Sequence, residues 1–69
     1  MNRSVFQVID FDDYTFACHF FDYELAMRVA KTIYDYKLAF SPGAVCVRVE
    51  EFRNGNTYPV YEWSANNGD

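Results

Sequence analysis

One helical period stands between two pairs of alternating segments, and 69 residues leave room for little else that is regular. From Asp22 or Tyr23 to about Ala39, the residues Leu25, Ala26, Val29, Ile33, Tyr36 and Phe40 fall within one stripe at about 100° per residue, the mark of an amphipathic helix. Glu24, Arg28, Lys31 and Asp35 lie opposite that stripe, and Met27, Tyr34 and Leu38 add a second apolar stripe beside it. Asp22 suits an N-cap, while Glu24 in the first turn and Lys37 in the last complement the helix dipole. Ser41-Pro42-Gly43 stops the helix, because proline disfavours helical backbone at the residue before it.

The flanking segments read as strands. Ser4 to Asp10 is rich in β-branched and aromatic residues, and Tyr14 to Phe20 alternates, with Phe11-Asp12-Asp13 as a turn between them. A three-residue loop pairs Val8 with Phe16. Ala44 to Phe52 and Thr57 to Trp63 form a second hairpin around Asn54-Gly55, the strongest short turn signal in the chain. Phe52 then faces Thr57, and an unbroken register puts Val49 opposite Val60, Arg48 opposite Tyr61 and Cys46 opposite Trp63. Pro59 cannot donate to a neighbour on both sides, so the fourth strand is expected at a sheet edge. The order ββαββ predicts an α+β two-layer sandwich, a four-stranded antiparallel sheet with one helix on one face. Strand orders 2-1-3-4 and 1-2-4-3 both satisfy it. Residues 1–63 make a single domain, and 64–69 are expected to be a flexible C-terminal tail.

Composition excludes several classes. With 51% hydrophobic and 20% aromatic residues, the chain can bury enough surface to order itself. A single core of this size supplies only about 3–5 kcal/mol, so heavy aromatic packing or self-association is expected to supplement it. Two cysteines, Cys18 and Cys46, make no disulfide framework, and a lone histidine, His19, makes no zinc-finger set. No signal-peptide pattern or membrane-length apolar run is read in the sequence, so a cytoplasmic protein with reduced thiols is expected.

No motif commits the chain to a chemistry. Asp10-x-Asp12-Asp13 resembles the start of a calcium loop, but Thr15 stands where the tight turn needs glycine and Phe21 where the bidentate glutamate belongs. Cys18 and His19 are adjacent on a strand and point to opposite faces, so they cannot act as nucleophile and base. Gly43, Gly55 and Gly68 sit in turns or the tail, not in a phosphate loop. An enzyme, a cofactor and a metal site are therefore not expected.

Charge and apolar surface remain. The net charge is -4, and residues 1–24 hold Asp10, Asp12, Asp13, Asp22 and Glu24 against Arg3 alone. Asp10, Asp12, Asp13 and Asp22 are the candidate acidic contacts, suited to a basic groove such as one that binds nucleic acid. Met27, Tyr34 and Leu38 on the helix, with Phe52, Tyr61 and Trp63 on the sheet face away from it, are the candidate apolar contacts. The plainer alternatives are a solubilising acidic turn and aromatics that merely cover their neighbours. In length, charge and aromatic content the whole chain resembles the small acidic inhibitors encoded by phages and mobile elements, anti-CRISPR proteins and nucleic-acid mimics among them. That resemblance implies a protein-binding inhibitor or adaptor, acting in a host cytoplasm. Two alternatives stand beside it: a homo-oligomeric structural or regulatory protein, with a homodimer expected, and a single-stranded nucleic-acid binder that stacks bases on Tyr61 and Trp63. The second is opposed by a pI of about 4.7.

Overall fold

The computed structural model describes residues 4–11, 17–40 and 42–67. The elements are β1 (Val5–Asp10), β2 (Ala17–Phe20), α1 (Tyr23–Phe40), β3 (Gly43–Arg53) and β4 (Asn56–Asn67). Every strand pairing is antiparallel and the sheet order is β2-β1-β3-β4, with α1 packed on one face. This is the expected two-layer α+β sandwich, and it selects the 2-1-3-4 order. Both edges are then the strands least suited to a centre: a four-residue β2, and β4 with its proline.

Local chemistry explains the helix boundaries. The Asp22 carboxylate accepts from the backbone N–H of Glu24 at 2.9 Å and of Leu25 at 3.3 Å, while the Asp22 carbonyl accepts the first helical bond from Ala26. Lys31 and Asp35, four apart on the outer face, close an ion pair at 2.7 Å. The helix stops at Phe40, and Gly43 enters β3 with φ +90°, a conformation that favours glycine.

The core is small and built from β-branched and minimal side chains. Val8 on β1 and Val47 and Val49 on β3 are fully buried, under Ala26 and Ala30 of α1. The two alanines let the helix backbone approach the central strands closely. Phe6, Phe20, Met27, Ile33, Tyr34, Val60 and Trp63 pack around this centre. The face of α1 that meets the sheet is therefore centred on Ala26, Ala30, Ile33 and Lys37, rotated from the expected stripe. Met27 and Tyr34 become flanks of the core, whereas Leu25, Tyr36 and Phe40 are exposed.

Three expectations about the sheet are corrected. Val8 pairs with Cys18, two residues beyond the Phe16 expected from a three-residue loop. A period-two pattern does not distinguish registers that differ by two, because each residue keeps its face. The Tyr14–Phe16 part of the expected strand, and Asp12 and Asp13 in the turn, lie outside the described residues. Second, β4 does not fray after Trp63, since Ser64, Ala65, Asn66 and Asn67 pair with Cys46, Val45, Ala44 and Gly43. Third, the β3–β4 register shifts by one residue between Val49 and Glu50, a β-bulge. Phe52 faces Thr57 as expected, but past the bulge Val49 faces Tyr61, Arg48 faces Glu62 and Val47 faces Trp63.

Candidate functional site

The bulge redistributes the aromatic residues that made the open sheet face look like a contact site. Directly opposed residues of an antiparallel pair share a face. Tyr61 and Trp63 therefore lie on the helix side with Val49 and Val47, and not on the open face with Phe52, Cys46 and Arg48. Trp63 stacks 6.4 Å from Tyr34 of α1 and makes an edge contact with Tyr61 at 4.7 Å. Trp63 is thus part of the packing between β4 and α1, and the Phe52/Tyr61/Trp63 cluster does not form. Phe52 stays on the open face, at the β1-facing end of the hairpin, where it pairs with Val5.

What occupies the middle of the open face is an ion network. Arg48 donates to Glu62 at 2.9 and 3.1 Å and to Glu50 at 3.1 Å, and its guanidinium lies 4.7 Å from the centre of the Phe11 ring. The hydrogen bond to Glu62, then that to Glu50, raises the already high Arg48 pKa. Gln7 and His19 pair beside this network. The face therefore offers paired charge where stacked bases would need aromatic planes and spare cations.

The acidic candidates divide. Asp10 shares strand parity with Val8, points toward the helix and is only 3% exposed. Its carboxylate meets Lys37 at 3.0 Å, and Lys37 shares the sheet-facing line of α1 with Ala26, Ala30 and Ile33. Asp10 is therefore an interior ion pair and not part of an acidic edge. The signal was legible: an aspartate in phase with Phe6 and Val8, and a lysine in phase with the buried alanines. Asp22 is exposed but spends one carboxylate oxygen on the helix cap.

The apolar candidates divide as well. Met27 and Tyr34 pack against the core, and Leu38 is half-buried on the same side. The exposed apolar surface runs instead along the other flank of α1. Leu25 and Tyr36 lie on it with Phe40, which is 72% exposed and stacks on Tyr36 at 4.8 Å. Phe21, 65% exposed, lies just before the helix N-terminus, whereas Tyr23, in phase with Ala26, Met27 and Ala30, is on the sheet side of α1 and meets Phe6 edge-on at 5.6 Å. Sequence periodicity found Leu25, Tyr36 and Phe40 but assigned them to the core, because the apolar arc of α1 is wider than the sheet can cover.

Among the described residues there is no pocket and no grouping of His, Cys, Asp and Glu that could hold a metal ion. No helix among them is long and apolar enough to cross a membrane. Comparison with protein-family models, with curated proteins and with solved structures finds no match for this chain.

Proposed function

We propose that this chain is a small protein-binding module, an inhibitor or adaptor, whose contact surface is the exposed flank of α1. One observation carries the reading: Leu25, Tyr36 and Phe40 are large, exposed and share one flank of a helix whose opposite flank packs against the core through Met27 and Tyr34, and Phe21 is exposed just before the first turn. Aromatic anchors of this kind dominate interface energetics when a partner desolvates them. The surplus of four negative charges favours a partner with a basic surface around its apolar groove, and Asp12 and Asp13 are the acids left to meet it. A phage or mobile-element inhibitor acting in a host cytoplasm remains the closest profile. The nucleic-acid alternative loses its main support with Tyr61 and Trp63 on the helix side.

The test is binding to a partner captured by the intact chain, measured at two salt concentrations. Tyr36→Ser with Phe40→Ser is expected to speed dissociation by tenfold or more, at a cost of about 2 kcal/mol. Folding stability should change by no more than about 0.5 kcal/mol, since both side chains are exposed. Asp12→Asn with Asp13→Asn is expected to slow association and flatten its salt dependence. A partner that binds both variants like the parent chain would remove this surface and this reading together.

A further inference from the structure

The outer edge of β4 is a second exposed surface, separate from the α1 flank. Asn54 and Gly55 have φ of 55° and 79°, the two left-handed positions of a type I′ turn, so the flanking Arg53 and Asn56 form a hydrogen-bonded pair. Pairs then alternate along the ladder. Thr57 and Pro59 fall at positions whose backbone groups face away from β3, and after the bulge so do Glu62, Ser64 and Asn66. Pro59 thus lacks its N–H where only an outside strand could have used it. Together with the bulge it blunts the first half of the edge, as edge strands commonly are. The second half, Tyr61 to Asn66, has no such protection. Its side chains at Glu62, Ser64 and Asn66 are exposed, and its one charge, Glu62, is already neutralised by Arg48 at 2.9 Å.

We infer that this half-edge pairs with the same half-edge of a second copy, antiparallel about a two-fold axis at Ser64, to make one continuous eight-stranded sheet. The sequence is self-complementary in that register. Ser64 faces Ser64 of the other copy, Glu62 faces Asn66 and Trp63 faces Ala65, so no like charges meet and the largest side chain meets a small one. Registers centred on Glu62 set two carboxylates against each other, which opposes them. The outward backbone groups of Glu62, Ser64 and Asn66 would exchange about six hydrogen bonds with their counterparts. On the helix side the two Trp63 rings are diagonal neighbours, about 7–8 Å apart at the backbone and within aromatic reach, and Tyr61, now 52% exposed, is drawn under the same cover. The α1 flank lies toward the opposite, β2 side of the molecule and stays open in such a dimer.

Sedimentation equilibrium of the intact chain, from micromolar to millimolar concentration, tests this with three variants. The parent chain is expected to dimerise. Ser64→Pro removes an outward N–H without touching the β3 ladder, as Pro59 does, and is expected to leave a monomer with an unchanged far-ultraviolet spectrum. Asn66→Glu sets a carboxylate opposite Glu62 and should weaken the dimer about tenfold, whereas Asn66→Lys should tighten it about threefold. The opposite signs at one exposed position keep the test decisive if Ser64→Pro fails to fold. A parent chain that stays monomeric overturns the proposal, and so does a dimer indifferent to all three substitutions.

Discussion

Asp10 and Lys37 show how far a single pair of residues departs from what their types suggest. Each carries a charge that surface placement would leave in water, yet both lie in the seam between sheet and helix. Such a pair contributes little net stability while intact, but removing one partner takes from the other the ion pair that offsets its burial. Lys37→Met is expected to lower stability by about 2–3 kcal/mol in urea unfolding. That is somewhat less than the roughly 3–5 of a fully buried pair, because 23% of the Lys37 side chain still reaches water. Asp10→Asn with Lys37→Met should recover part of the loss, since the amide carries no charge to bury. A Lys37→Met protein as stable as the parent would mean that the pair is not formed in solution. Cys18 and Cys46 are the other residue-scale test. Cys18 pairs with Val8 on β1, β1 separates it from β3, and Cys46 lies three residues along β3 from the level of Val8. Strand spacing and rise put their Cα atoms on the order of 14 Å apart, twice the reach of a disulfide. The intact mass under non-reducing conditions should therefore show no internal loss of two hydrogens.

At the scale of elements, the β3–β4 hairpin organises the molecule, and its turn and its bulge have different standing in the sequence. The turn was legible, because Asn54 and Gly55 are the residues that tolerate positive φ. Gly55 sits at φ 79° with open space around its Cα, so Gly55→Ala meets only backbone strain. It should cost about 1–2 kcal/mol in thermal or urea unfolding, with no change in the spectrum of the folded state. The bulge was not read, although its trace is present. Tyr58 and Val60 keep one phase and Tyr61 and Trp63 the other, and only an extra residue lets all four lie on the helix side of the sheet. An alternation rule carried straight through Pro59 sent Tyr61 and Trp63 to the wrong side. Trp63→Ala is accordingly expected to act on folding first, with a loss of about 2–4 kcal/mol from a packed but partly accessible ring. A folded, equally stable Trp63→Ala protein would return that ring to the open face. The helix, the ββαββ order and the edge position of β4 were legible for a related reason: each rests on periodicity or on a residue with few conformational options. The β1–β2 register rests on neither, and the length of β4 beyond Trp63 depends on Ser64 to Asn67, which carry no strand pattern of their own.

The whole molecule is long and thin, 47 by 19 by 19 Å, because β3 and β4 outrun both β1 and the helix laid over them. An 18-residue helix spans about 27 Å, whereas an 11-residue strand spans about 36 Å, so part of the hairpin has neither a third strand nor a helix beside it. Among the described residues the fully buried apolar side chains are four valines and two alanines, and every large aromatic residue there keeps some contact with water. A core of that kind leaves modest stability to the isolated chain, on the order of a few kcal/mol. Pairing through the β4 edge would therefore show in stability as well as in mass. When a native dimer unfolds to two separate chains, mass action raises the thermal midpoint with concentration. For a chain of this length, with unfolding entropy of about 2.1 cal/mol/K per residue, each tenfold rise above the dissociation constant should lift the midpoint by about 3–6 °C. Ser64→Pro and Asn66→Glu should flatten that slope, Asn66→Lys should extend it to lower concentration, and Tyr36→Ser with Phe40→Ser should leave it unchanged. Calorimetry over a hundredfold range of concentration would read all four. A midpoint that does not move with concentration in the parent chain would mean that the thin core folds alone, and the exposed edge of β4 would then need another strand to cover it.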